Sequence, residues 1–186
     1  MNKQQDKSLW VWGCSSFLVG AGFVVGYFLL FPIPSTSRRK AKQVSCLSNL
    51  KQIGMGTVMY TQDYDECLPP ASEWQTNLSP YIKNDQVFHC PEAVGGKAQP
   101  PPPDAGSYAY NRALDRMKLK RVADPENTVS TYDSTRFLRN ANDALTSLPK
   151  PGRHLSANNI GFADGHAKTW PDSKPLPQGR ILPDTP

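Results

Sequence analysis

The sequence predicts an α+β protein: one long N-terminal helix, membrane-spanning in its first half and amphipathic in its second, packed on a small antiparallel sheet. Three observations carry this. Residues 9–33 read LWVWGCSSFLVGAGFVVGYFLLFPI, without a charge. Residues 37–64 repeat apolar or small side chains at helical spacing. Residues 159–170 set Asp164-Gly165 between two short runs of strand type.

As a helix, the first run would extend about 37 Å, enough for a hydrocarbon core ~30 Å thick. Trp10, Trp12 and Tyr27 suit interfacial positions. Gly22 and Gly26 form a GxxxG pair of the kind that lets helices approach closely in lipid. The run is longer than the apolar region of a cleaved signal peptide, so an uncleaved anchor is expected. Pro32 and Pro34 interrupt the helix at its exit. The organisation expected is a tail at 1–8, a transmembrane helix at 9–33, a head at 34–170 and a mobile Pro-rich tail at 171–186.

The formal charge of +5 belongs partly to Arg38, Arg39, Lys40 and Lys42, which would sit by lipid headgroups. No nucleic-acid motif accompanies it, so nucleic acid is not an expected partner; the bilayer is. Counted alone, these flanking charges would place the head on the cytoplasmic side.

In the second half, Cys46, Leu47, Leu50, Ile53, Gly54, Thr57, Val58, Thr61 and Tyr64 fall on one side of a helix. Met55 and Met59 lie off that stripe at i, i+4 spacing, where they face either solvent or a partner subunit. A short helix is expected over 73–82 and extended chain over 87–90 before Pro91. The segment 95–106, with prolines at 100–103, reads as a loop. Strands are expected at 107–111 and 128–132. A two-residue turn at Asp164-Gly165 would put Ile160, Phe162, Ala167 and Thr169 on one face of the last hairpin.

Several segments converge on one family. Cys46-Leu47-Ser48-Asn49-Leu50-Lys51-Gln52-Ile53-Gly54, then Tyr60-Thr61-Gln62-Asp63-Tyr64, resembles the helix of prepilin-type proteins of the H-X9-DG group. Trp74, Pro80-Tyr81-Ile82, Val87-Phe88-His89-Cys90-Pro91 and Ser107-Tyr108-Ala109-Tyr110-Asn111 continue the match. Arg153-His154, nine residues, and Asp164-Gly165-His166 complete it. The resemblance implies a type IV pilin-like fold, an inner-membrane single-pass anchor and an extracytoplasmic head. It also implies a place in type II secretion or pilus-like assemblies, as a pseudopilin-like structural or interaction protein whose partners are other pilin-like subunits or secretion components. It implies no reaction. The chain departs from the family at residues 1–25, which lack the prepilin peptidase motif and its glutamate, so processing and polymerisation are not expected.

The motif residues His154, Asp164, Gly165 and His166 are read as structural. The alternative is a ligand- or metal-binding module in which His154, Asp164 and His166, with Asp133 and His89 as additions, meet around a transition metal. No G-x-S-x-G, HExxH or phosphate-cradling loop is present, and neither an enzyme nor a cofactor is expected. There are four cysteines, none in CxxC spacing. Cys46 with Cys90, Cys67 with Cys90, or free thiols are the open pairings.

Overall fold

The structure is a computed structural model that describes residues 20, 22, 26, 27, 35–93 and 106–183. It divides into two compact units, Met1–Arg38 and Arg39–Pro186, and the second holds the sheet and the core.

The long helix, α1, covers Ser35–Asp63. Cys46, Leu50, Ile53, Thr57, Tyr60 and Thr61 are buried, a 4-3-4-3-1 spacing that keeps one face inward. Tyr60 takes the buried place expected of Tyr64, which stacks on it at 4.2 Å and is itself exposed. On the outer face Val44, Met55 and Met59 are exposed.

Among the described residues, no helix is long and apolar enough to cross a membrane. Helix α1 carries Arg38, Arg39, Lys40, Lys42 and Lys51 at exposed positions. The expectation of a single-pass, inner-membrane protein is corrected on that finding. The 9–33 run lies outside the described residues except for Gly20, Gly22, Gly26 and Tyr27, which are helical. The break expected at Pro32 and Pro34, and the loop 95–105, also lie outside them.

After α1 the chain passes through a short helix, α2 (Trp74–Leu78), and a turn of 3-10 helix at Asp85–Phe88. The latter replaces the extended segment expected before Pro91. Asn84 accepts from the Gln86 N–H at 3.0 Å and starts the turn, and His89 beyond it is extended.

Five strands follow: β1 (Tyr108–Asn111), β2 (Val129–Asp133), β3 (Asn142–Asp143), β4 (Ala157–Phe162) and β5 (Ala167–Pro171). Their order is β3-β1-β2-β4-β5. The sheet is mixed, not antiparallel as expected, because β3 lies parallel to β1. Two residues offer no alternation to read. What holds β3 in place is tertiary: the Ala141 carbonyl accepts from Tyr110 N–H and from the Trp74 indole, both at 2.9 Å.

One face of the sheet, with Tyr108 and Tyr110, packs on Cys46, Leu50 and Ile53 of α1 and on Trp74. The other face gathers Ala109, Val129, Tyr132, Ile160 and Phe162.

The last hairpin differs from expectation by one residue. Phe162 N–H donates to His166 O and Gly165 N–H to Phe162 O, so the loop is Ala163-Asp164-Gly165, closed by Gly165 at φ +91°. A three-residue loop of this kind shifts the register by one, and a shift of one turns every β5 side chain over. Ile160 therefore pairs with Lys168, and Gly161 with Ala167. The face expected to hold Ile160 and Phe162 with Ala167 and Thr169 is not formed.

The described part of the tail is tied down. Ala123 N–H donates to Arg180 O, Leu182 N–H to Arg121 O, and Val122 bridges Ile181.

Candidate functional site

The sequence motif converges on the junction between α1 and the sheet. Cys46 on α1 is disulfide-bonded to Cys90, closing a loop of sequence separation 44 and fastening the chain after α2 to the helix. In chain-entropy terms such a link contributes about 2–4 kcal/mol. Cys67 is free. The two joined sulfurs face His154, whose Nε2 lies 3.7 Å from Cys90 Sγ.

His154 is 1% exposed and sits between two carboxylates. Its Nδ1 faces Glu92 Oε2 at 3.4 Å, and its Nε2 faces Asp133 Oδ2 at 3.2 Å. Asp133, at the end of β2, is fully buried; its Oδ1 accepts from Arg153 Nη1 at 2.9 Å and its Oδ2 from the Asn159 N–H at 2.7 Å. Arg153 also donates to the carbonyls of Ser107 and Ser134. At the outer end, Glu92 Oε1 accepts from Arg39 Nε at 3.0 Å. The result is a chain of polar contacts, Arg39, Glu92, His154, Asp133 and Arg153, leading from the start of α1 into the sheet. Beside it Tyr108 donates to Cys46 O at 3.3 Å. Burial, with the Asp133 charge adding, pushes that phenol far above its ordinary range.

Local backbone sets His154 in place. His154 N–H donates to Ala157 O and Ala157 N–H to His154 O, closing a two-residue turn with Leu155 at φ +52° and Ser156 at φ +63°. Left-handed conformations at non-glycine residues cost roughly 1–2 kcal/mol each, offset here by the buried partners of His154. Gly152 is needed one step earlier: a Cβ there would lie 2.5–2.6 Å from Ala157 backbone atoms.

The second half of the motif meets α1 further along. A Cβ on Gly54 would stand 2.3 Å from Gly165 O, so the Asp164-Gly165 turn seats directly on the helix backbone. His154 and Gly165 thus hold the two ends of β4 against α1, and the ten residues between them are that strand with its flanking turns. Midway, Asn159 Nδ2 donates to Gln43 O of α1 at 3.1 Å.

The donor set His154, Asp164 and His166 is not assembled. Asp164 and His166 pair with each other at 2.6 Å on the exposed turn, where His166 also stacks on Phe162 at 4.1 Å. His89 contributes backbone only: its carbonyl accepts from Asn49 Nδ2 at 2.9 Å. The metal-capable group among the described residues is Cys46, Cys90 and His154, whose ligand atoms lie within 4.8 Å of one another.

Comparison with family models, with curated proteins and with solved structures finds no match for this chain.

Sequence reasoning quoted Arg153 only as part of the motif, missed Glu92, and treated Asp133 only as an addition to a metal site. Asp133 ends a strand of five buried residues, and a carboxylate there signals a buried partner. A separate open cavity of about 590 Å³ lies by Trp170, Leu145, Leu148, Lys150, Asp172 and Lys174. The Trp170 indole N–H is already committed to the carbonyls of Lys174 and Pro175.

Proposed function

We propose that this protein is a pilin-like structural and interaction subunit, not an enzyme. The observation that carries the reading is the inward direction of the motif: its histidine is buried behind a disulfide and its glycine presses on a helix backbone. Cys90, His154 and Glu92 have the composition of a nucleophile, base and orienting acid. Here the sulfur is held in the bond to Cys46, so it is not a free nucleophile. The motif is spent on holding α1 to the sheet, the arrangement a pilin-like head needs. The ordered set of segments that resembles prepilin-type proteins supports the same reading, and so do the Val44, Met55 and Met59 side chains left exposed on the outer face of α1. Its partners on this reading are other pilin-like subunits or secretion components.

Cross-linking tests it. In the full chain with Cys14→Ser and Cys67→Ser, Met59→Cys is expected to couple, through a short thiol-reactive linker in the native host, to a second copy or to a pilin-like subunit identified by peptide mass. Lys83→Cys, off α1 and exposed, is the comparison site. Equal coupling at both positions, or none at Met59→Cys, would remove the helix face from the account.

A further inference from the structure

We propose that the Cys46–Cys90 bond covers a second state of the same junction: once reduced, Cys46, Cys90 and His154 bind one zinc-like divalent ion. The inference goes beyond the structural role of the motif and does not depend on a pilin-like assembly. It rests on the geometry around His154. Both ring nitrogens face carboxylate oxygens, Glu92 on Nδ1 and Asp133 on Nε2. The ligand atoms of Cys46, Cys90 and His154 lie within 4.8 Å of one another, all buried, and a neutral ring can donate from only one of its two nitrogens. A metal ion at Nε2 supplies positive charge there, while Nδ1–H donates to Glu92. This is the carboxylate–histidine–metal arrangement that orients the ring and raises its basicity.

The distances suit a tetrahedral site. Around zinc, with Zn–S near 2.3 Å and Zn–N near 2.0–2.1 Å, neighbouring sulfur and nitrogen ligands stand about 3.6 Å apart, and nitrogen and oxygen about 3.4 Å. Cys90 Sγ and His154 Nε2 are 3.7 Å apart, and His154 Nε2 and Asp133 Oδ2 are 3.2 Å apart. The edge that must change is the bonded one, since two thiolates on zinc stand about 3.8 Å apart. Asp133 Oδ2 stands by the ring nitrogen but outside the group whose ligand atoms lie within 4.8 Å of one another, so the fourth position falls to a water. Two thiolates and an imidazole favour zinc-like ions over calcium or magnesium. Glu92 and Arg39 form the more exposed side of the junction, from which an ion enters.

The step balances. A dithiol reductant gives two electrons and two protons to the Cys46–Cys90 bond and is itself oxidised to a disulfide. The two thiols then lose their protons to solvent as the divalent ion binds.

The test uses the full chain with Cys14→Ser and Cys67→Ser, which leaves Cys46 and Cys90 as its only cysteines, and a phosphine as reductant. Zn2+ is titrated against a chromophoric chelator, and Co2+ is followed by its thiolate charge-transfer absorption. The reduced protein is expected to take one Zn2+ per chain, at least about 100-fold more tightly than the oxidised protein, and to show the cobalt–thiolate band. His154→Ala should weaken binding by about 100-fold. Glu92→Gln, which keeps the packing, should weaken it by roughly 10-fold with the near-ultraviolet circular dichroism unchanged. Equal binding by oxidised and reduced protein overturns the proposal, as does a cobalt complex without the thiolate band. So does retention of full affinity in both variants. A reduced chain that loses its near-ultraviolet signal and does not regain it with Zn2+ overturns it as well.

Discussion

Asp133→Ala is expected to destabilise the folded unit by about 3–5 kcal/mol, measured as the shift in urea-unfolding free energy of the otherwise unchanged chain. Asp133 is fully buried and engages Arg153, His154 and the Asn159 N–H at once. Its removal strands a guanidinium whose side chain is only 8% exposed, and uncompensated buried charge is the costly outcome of breaking such a pair. Asp164→Ala is the comparison. That carboxylate also accepts from a histidine ring, but on the exposed turn, where an ion pair is worth about 0–1 kcal/mol. If the two substitutions cost the same, the buried chain of polar contacts is not what holds the junction.

Gly54→Val is expected to cost about 3 kcal/mol and to lower the melting temperature by on the order of 10 °C. The new Cβ would meet Gly165 O at 2.3 Å and Gly165 Cα at 2.9 Å. These are backbone atoms, so no rotamer change relieves the clash, and the Asp164-Gly165 turn must leave the helix. Gly56→Ala separates this effect from helix propensity. There a Cβ meets Ile82 Cγ1 at 3.1 Å, the movable part of a side chain, and replacing glycine in a helix returns about 1 kcal/mol. Gly56→Ala should therefore be near neutral, and thermal scans of the two variants side by side decide the matter.

Much of this architecture could be read from the residues. The face of α1 followed from the spacing of Cys46, Leu50, Ile53, Thr57 and Thr61, and β1 and β2 fell within one residue of their expected limits. Three features escaped for physical reasons. The turn that sets His154 uses Leu155 and Ser156 at positive φ, and neither is a residue whose chemistry announces that conformation. The Asp164-Gly165 dipeptide marks a hairpin but fits two loop lengths, and the longer one inverted the β5 faces. Strand β3 depends on hydrogen bonds from Tyr110 and Trp74 to Ala141, partners far apart in sequence. At the junction, the histidine and the cysteines were visible as candidates. Their union was not, because it requires β2, β4 and the segment after α2 to be brought to one point of α1.

The account turns on one claim: the segment from His154 to Gly165 fastens α1 to the sheet. Native-state hydrogen exchange on the full chain, with and without Asp133→Ala, tests it most directly. Amides of α1 over 46–61 and of β4 over 157–162 are expected to lose protection together, by about 100-fold or more, as befits one cooperative unit. Helix amides that keep their protection while β4 alone opens would contradict it.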